Sequence, residues 1–467
     1  MSMTASAALS RDTHSTVARP PVGLSWLQLS RLGLVQAAIG AIVVLLTTTI
    51  NRVIVVELAL PATIPGILVA LHFGVQLVLR PRLGHDSDRS GRRTPWILGG
   101  LAVCALGGIA VAAAIPIMAE HTIAGVVLAA LASIALGAGV SAAGTPLLAL
   151  MSERAAPSQR AGAAAITWIL MIVGIIITAA TSGMLLDPFS YTRLIAIAAG
   201  IGGIGFVVAV VATIGVERGP KPVFDSPSVV SLPESSGNGA SFMTSLQVVW
   251  QEPAAKLFAS FVFLAMFAYS AQDLILEPFA GIAFGMTPGE STKLSGTHHG
   301  GVLIGMIATA LLATRRGQLR HWAAAGCLAS AVTYVALAAT PAMGSLLFLQ
   351  VVVVLLGVAN GVFAIGAIGS MMALTGDRTD GRAGLRLGVF GAAQALAYAT
   401  GTMSGAVGVD VARELLASPI DGYLAVFGVE AVLFAASAVL ALRSASSERA
   451  NAVFRQRSEM LPAVLQS

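Results

Sequence analysis

The stretch His72-Phe-Gly-Val-Gln-Leu-Val-Leu-Arg-Pro-Arg-Leu-Gly-His-Asp-Ser-Asp-Arg-Ser-Gly-Arg-Arg-Thr-Pro-Trp96 decides the fold. An apolar helix end runs into a short basic turn, and a second apolar run begins at Trp96. The same plan returns at His298 to Trp322, with both ends displaced by 226 residues, so that Arg89 falls on Arg315 and Gly91 on Gly317. Self-similarity at half the chain length is the mark of a membrane protein built from two related halves.

Composition agrees. The chain of 467 residues is 56% hydrophobic and 10% charged, with a mean hydropathy of +0.85. A soluble domain carries about 25% charge, so lipid is the main solvent here. The net charge of +5 does not point to nucleic acid, because the bases sit in short turns between apolar runs, where they orient a membrane protein. Cys104 and Cys327 lie inside apolar runs and read as small packing residues rather than a disulfide.

Residues 1–30 hold Ser, Thr and Ala with scattered Arg and Pro; with no apolar h-region they read as a disordered cytoplasmic tail, not a cleaved leader. Apolar runs follow near 33–56, 61–79, 96–118, 122–150, 163–185 and 192–215. A Pro/Ser/Gly-rich segment, 217–253, interrupts them as a cytoplasmic linker. Six more runs lie near 254–276, 297–314, 322–340, 344–374, 387–408 and 421–442, and 444–467 forms a second cytoplasmic tail. The expectation is an all-α integral membrane protein with twelve transmembrane helices in two pseudo-symmetric six-helix halves, 31–216 and 254–443. With the N-terminus inside, 23 of the 27 Lys and Arg fall on the inner side, which puts both termini in the cytoplasm.

The turn Gly84-His-Asp-Ser-Asp88-Arg89-Ser-Gly91-Arg92-Arg93 resembles the signature loop of the major facilitator superfamily. Gly84 and Gly91 permit a tight turn, and Asp88 can face a helix N-terminus or pair with an Arg of a neighbouring helix. These residues, with Arg89, Arg92 and Arg93, read as a cytoplasmic latch; the bland alternative is a basic loop serving topology alone. The later copy, Arg315-Arg316-Gly317-Gln318, has lost the acid. A second repeat sets Glu153-Arg154 with Arg160-Ala161-Gly162 against Asp377-Arg378 with Arg382-Ala383-Gly384. The fourth span (Gly137, Gly139, Ser141, Gly144) and the tenth (Gly357, Asn360, Gly361, Gly366, Gly369) are rich in small residues, which let helices approach closely in lipid.

Polar groups within spans are costly and mark function by default. Arg52 and Glu57 end the first span; Asp273 and Glu277 end the seventh. As an outer gate, Arg52 would pair with Asp273 across the pseudo-two-fold axis; the alternative is that both lie in the headgroup layer. His72 and the pair His298-His299 occupy matching positions in spans two and eight. A neutral imidazole can ligate a metal, including one at the centre of a macrocycle; a hydrogen bond to a neighbour, such as His72 to Gln76 one turn on, is the commoner use. Glu430 lies mid-way along the last span, where a proton site, a metal ligand and an interhelical hydrogen bond are open; the last span is usually peripheral in such an architecture, which favours a lateral contact with lipid, pigment or partner. No phosphate-cradling loop, HExxH or paired CxxC occurs, so no enzyme and no dedicated protein metal site is expected.

Asn51-Arg52-Val-Ile-Val-Val-Glu-Leu58 and the segment Gln272 to Met306 resemble the bacteriochlorophyll-delivery (PucC/LhaA-type) branch of the major facilitators, over about Arg31 to Arg443. That resemblance implies a protein of the bacterial inner, cytoplasmic or intracytoplasmic photosynthetic, membrane. It implies bacteriochlorophyll as bound cargo, and light-harvesting antenna polypeptides or pigment-synthesis enzymes as partners. His72, His298, His299 and Glu430 then become candidate axial ligands of the pigment magnesium. The competing expectation is a secondary transporter moving a small solute by alternating access.

Overall fold

In the computed structural model, residues 24–156, 159–217, 253–313, 319–376, 383–416 and 418–464 are described. The 1–23 part of the N-terminal tail, linker residues 218–252, Arg315 to Gln318 of the second basic turn, and Asp377 to Arg382 lie outside them. So does the Asp88 side chain.

Among the described residues twelve α-helices follow in chain order. In the first half they are α1 (Trp26–Leu45), α2 (Thr63–Ser90), α3 (Thr94–Glu120), α4 (Thr122–Arg154), α5 (Arg160–Leu185) and α6 (Tyr191–Thr213). In the second they are α7 (Pro253–Phe284), α8 (Pro288–Ala313), α9 (Leu319–Met343), α10 (Leu346–Gly376), α11 (Ala383–Leu415) and α12 (Pro419–Val464). Among the described residues eleven helical stretches are long and apolar enough to cross a membrane. The more polar α11, with Gln394, Thr400, Thr402 and Asp410, is not one of them. Several runs extend beyond their expected bounds. α1 starts at Trp26 because Ser25 and Gln28 form a reciprocal cap, Ser25 Oγ accepting from the Gln28 amide at 3.3 Å and Gln28 Oε1 accepting from the Ser25 amide at 2.9 Å. α12 continues past Arg443 to Val464.

The packing repeats itself. In the first half α1 lies on α5 and α6, α3 on α4 and α6, and α2 on α4; in the second, α7 lies on α11 and α12, α9 on α10 and α12, and α8 on α10. Adding six to each helix number turns one set into the other. The halves meet through α5 against α8 and α2 against α11, which are also exchanged by that operation. The fold is the two-half, twelve-helix arrangement of the major facilitators.

Small residues let backbones touch where the two histidine positions lie. A Cβ on Gly137 of α4 would come within 2.4 Å of the His72 carbonyl oxygen, and one on Gly357 of α10 within 2.1 Å of the His298 carbonyl oxygen. Such approach replaces the hydrophobic drive that is missing between helices in lipid. Overpacking costs about 1–3 kcal/mol or more, so Gly357→Val is expected to lower the detergent-solubilised melting temperature markedly. Gly99→Ala, where an added Cβ meets nothing within 4 Å, should leave it unchanged or raise it.

Candidate functional site

α1 does not end as a regular helix. Two π-helical turns, Leu46–Ile50 and Val53–Glu57, bracket Asn51 and Arg52. Wide turns of this kind recur at functional sites. Here they direct two polar side chains into the seam between the halves. Asn51 Nδ2 donates to the Leu274 carbonyl of α7, and Arg52 Nη2 donates to the Met286 carbonyl just before α8. Thr49 and Thr292 hydroxyls meet at 3.1 Å, and the Thr292 hydroxyl also lies 3.4 Å from Glu277 Oε2. Arg52 forms its ion pair with Glu57 of its own helix. The expected Arg52–Asp273 pair is therefore not formed. The π-turn curls Glu57 back onto the guanidinium, and Arg52 spends its other contact on the Met286 carbonyl.

Two further carboxylates complete this end, and the sequence reading missed both. Asp187, beyond the C-terminus of α5, accepts from the Thr287 hydroxyl at 2.9 Å and the Gly289 amide at 3.2 Å, at the start of α8. Asp410 of α11 accepts from the Ala62 amide at 2.9 Å, the Thr63 amide at 2.7 Å and the Thr63 hydroxyl at 2.6 Å, at the start of α2. Each acid caps a helix of the opposite half. A negative charge at a helix N-terminus meets both the free amides and the positive end of the dipole. At Gly289 a Cβ would fall 2.2 Å from Asp187 Oδ2, so glycine is what admits the cap. Every hydrogen bond between the halves among the described residues lies at this Arg52 end.

At the opposite end, that of Arg93, the described residues form a polar cluster within the first half. α2 continues through Gly84 to Ser90, and only Gly91, at φ +66°, makes the turn. Gly84 is thus a helical residue, contrary to the tight-turn expectation. Arg89 and Arg92 are exposed. Arg93 is buried, forms an ion pair with Glu153 at the end of α4, and donates from Nη1 to Ser87 Oγ at 2.7 Å. Glu217 accepts from the Arg93 amide at 2.6 Å and the Thr94 amide at 3.1 Å, capping α3. Arg154 Nη2 donates to the Glu217 carbonyl at 3.2 Å. Glu217 had been expected to open a linker; it closes this cluster instead.

The central polar groups are buried and mostly engaged. Arg80 Nη2 donates to Gln76 Oε1 at 2.5 Å, and Gln76 Nε2 lies 2.8 Å from His72 Nε2. In the second half, Tyr334 O–H donates to Gln272 Oε1 at 2.7 Å, and Asn360 Nδ2 donates to the same oxygen at 3.0 Å. Gln272 Nε2 lies 2.9 Å from His298 Nε2, and Ser330 Oγ donates to Asn360 Oδ1 at 2.8 Å. Glu430 is 1% exposed, so the expected lateral contact with lipid is not made. It faces the Tyr334 hydroxyl, whose one proton goes to Gln272, and neither carboxyl oxygen has a hydrogen-bond partner. Phe73 and Tyr398 touch across the halves at 5.1 Å between ring centres, continuing to His72 on one side and Tyr269 on the other. Among the described residues no group of three or more His, Cys, Asp and Glu could hold a metal ion.

The family model described as PUCC protein matches residues 49–448. The chain belongs to the PUCC protein family. It is 45% identical over 422 residues to the "Bacteriochlorophyll synthase 44.5 kDa chain" of Rhodobacter capsulatus, covering 90% of this chain and 95% of that one. It is 29% identical over 450 residues to "Protein PucC" of Cereibacter sphaeroides, covering 90% and 93%. Among solved structures it is similar to a bacterial homologue of the human lysosomal transporter Spinster, inward-facing and unoccupied. That likeness has a TM-score of 0.65 and 15% identity over 90% of this chain and 95% of the other; it concerns the fold. The chain is thus a multi-pass membrane protein with a transporter fold, in a photosynthesis-related family of purple bacteria.

Two outcomes are expected. Hydrogen bonds to a charged group are worth about 1.5–3 kcal/mol each, so Asp187→Ala or Asp410→Ala should open the Arg52 end. The measure is thiol labelling of a Thr49→Cys reporter, expected to rise several-fold on the order of that energy; the native Cys104 and Cys327 are fully buried. At the other end, burial opposes the Glu217 charge, but hydrogen bonds from Thr94 and the Arg93 amide and the charge of Arg154 outweigh it. Its carboxyl is held below the ordinary value of 4.5. A lowered folded-state value means stabilisation that is present above pH 4.5 and lost as pH falls through the lowered value. Glu217→Ala should therefore lower the melting temperature at neutral pH, and the gap to wild type should close on acidification below that range.

Proposed function

We propose that this protein binds bacteriochlorophyll and passes it to light-harvesting antenna polypeptides, acting as a delivery and assembly factor and not as an enzyme. The observation that carries the reading is the near full-length similarity to a chain named as a bacteriochlorophyll synthase component, joined to a transporter fold. The interior of that fold suits an apolar, planar cargo. Its polar side chains are largely paired with one another, and an aromatic line, His72–Phe73–Tyr398–Tyr269, crosses the seam. A macrocycle supplies four equatorial nitrogens to its own magnesium and asks the protein for one axial ligand, so no multi-residue metal cluster is required.

We infer that the Arg93 end faces the cytoplasm, from the excess of Lys and Arg on that side, with both termini inside and the protein in the bacterial inner or intracytoplasmic membrane. Lipid, pigment, antenna polypeptides and pigment-synthesis enzymes are the partners under this reading. The second reading, a secondary transporter of a small solute, is favoured by the shape shared with solute transporters and by hydrogen bonds that join the halves at one end.

Purification in mild detergent from a pigmented host, followed by an absorption spectrum and pigment extraction, separates the two. Delivery gives bacteriochlorophyll in near-stoichiometric amount. A colourless protein that accumulates a solute in vesicles, with uptake abolished by an uncoupler, would establish the second reading in its place.

A further inference from the structure

Three histidines lie at the centre of the fold, and their hydrogen bonds fix which nitrogen of each carries the proton. Ring tautomers follow from the partners. Arg80 holds Gln76 Oε1, so the Gln76 amide group turned to His72 is the NH2, and His72 Nε2 accepts from it. The proton of His72 then sits on Nδ1, which is buried and has no partner. The same logic holds for His298. Tyr334 and Asn360 both donate to Gln272 Oε1, so Gln272 turns its NH2 to His298 Nε2, whose lone pair is consumed. Neither residue offers a lone pair to a metal.

His299 is the reverse case. Its Nδ1 lies 2.9 Å from the Ser295 carbonyl oxygen. A carbonyl only accepts, so Nδ1 carries the proton and Nε2 keeps its lone pair. Among the described residues no hydrogen bond takes up Nε2, and His299 retains 7% of its surface where His72 and His298 each retain 1%. An imidazole that gives one N–H to a carbonyl and presents the other nitrogen is the arrangement proteins use to ligate a metal.

Its place on α8 fits. Thr292 touches Thr49 of α1, Gly296 meets Ala179 of α5, and Met306 packs with Ile172 of α5. These positions recur at helical spacing around 299, so His299 lies on the face of α8 turned to the opposite half. Glu430 does not share that place: α12 packs on α7 and α9, behind Tyr334, away from the first half.

We propose that His299 is the axial ligand for a magnesium chlorin bound at the seam between α5 and α8, its Nε2 lone pair forming the bond to magnesium as a solvent ligand leaves. This rests on the pigment reading above and names the residue that reading leaves open. Ile172 of α5 packs with Val302 and Met306 of α8, bordered by Ile175, Ile176 and Leu303; these apolar side chains meet across the seam, and the ring would part them to reach Nε2.

The test uses the full-length protein in detergent, titrated with the magnesium form and the metal-free form of one chlorin and followed by the absorption shift of axial coordination. Wild type is expected to prefer the magnesium form by about tenfold or more, the scale on which metal-site contacts act. His299→Ala should lose that preference, and added imidazole should restore it, while its melting temperature reports that it is folded. His121→Ala, at the exposed turn between α3 and α4, should keep the preference. An unchanged preference in His299→Ala, its loss in His72→Ala or His298→Ala instead, or equal binding of both forms by wild type overturns the assignment and leaves the pigment reading standing. Binding of neither form by wild type overturns the pigment reading and this assignment with it.

Discussion

A helix that begins inside a membrane protein has amides that neither lipid nor its own backbone can satisfy. At the Arg52 end, α2 and α8 both begin against the opposite half, and each takes a carboxylate from it: Asp410 for α2 and Asp187 for α8. The two halves thus complete one another's helices. Because the caps are exchanged by the pseudo-symmetry of the fold, losing the contact exposes two helix ends at once. Asn51, Arg52 and Thr49 add bonds from the irregular end of α1 to α7 and α8. The Arg93 end satisfies its helix start within the first half through Glu217, so it can part from the second half without orphaning that cap. Closure at the Arg52 end follows from where its two carboxylates come from.

The interior obeys the same demand for partners. Gln76, Gln272 and Asn360 each serve as donor and acceptor at once, and that double use settles the tautomers of His72 and His298. A buried amide wired on one side dictates what it can offer on the other. His299 escapes because its partner is the backbone carbonyl one turn back, which leaves a nitrogen over. Three buried histidines therefore have different chemistry, set by their hydrogen-bond partners.

Much of the fold could be read from the chain because membrane spans are long, apolar and separated by bases, and because His72 to Trp96 is echoed 226 residues on. The hydrogen bond of His72 to Gln76 was legible too, being a one-turn neighbour. The gate was not. Arg52 and Asp273 hold matching positions, but the π-turns that bring Glu57 onto Arg52 leave no mark in residue spacing. Asp187 and Asp410 look like ordinary boundary charges; the signal that could have found them is their own separation of 223 residues, close to the repeat offset. Gly84 reads as a turn residue beside Asp and Ser, yet α2 runs through it and the turn falls on Gly91 instead. Glu430 was expected at the periphery because the last helix is outermost, but it is buried on the side of α12 that packs on α7 and α9.

The most direct test is an experimental density map of the full-length protein isolated from a pigmented host. A planar macrocycle is predicted at the seam of α5 and α8, its metal beside His299 Nε2, with the Asp187 and Asp410 caps in place at the Arg52 end. A macrocycle bound on the lipid-facing surface away from His299, or a closed seam with no pigment in it, would contradict that prediction.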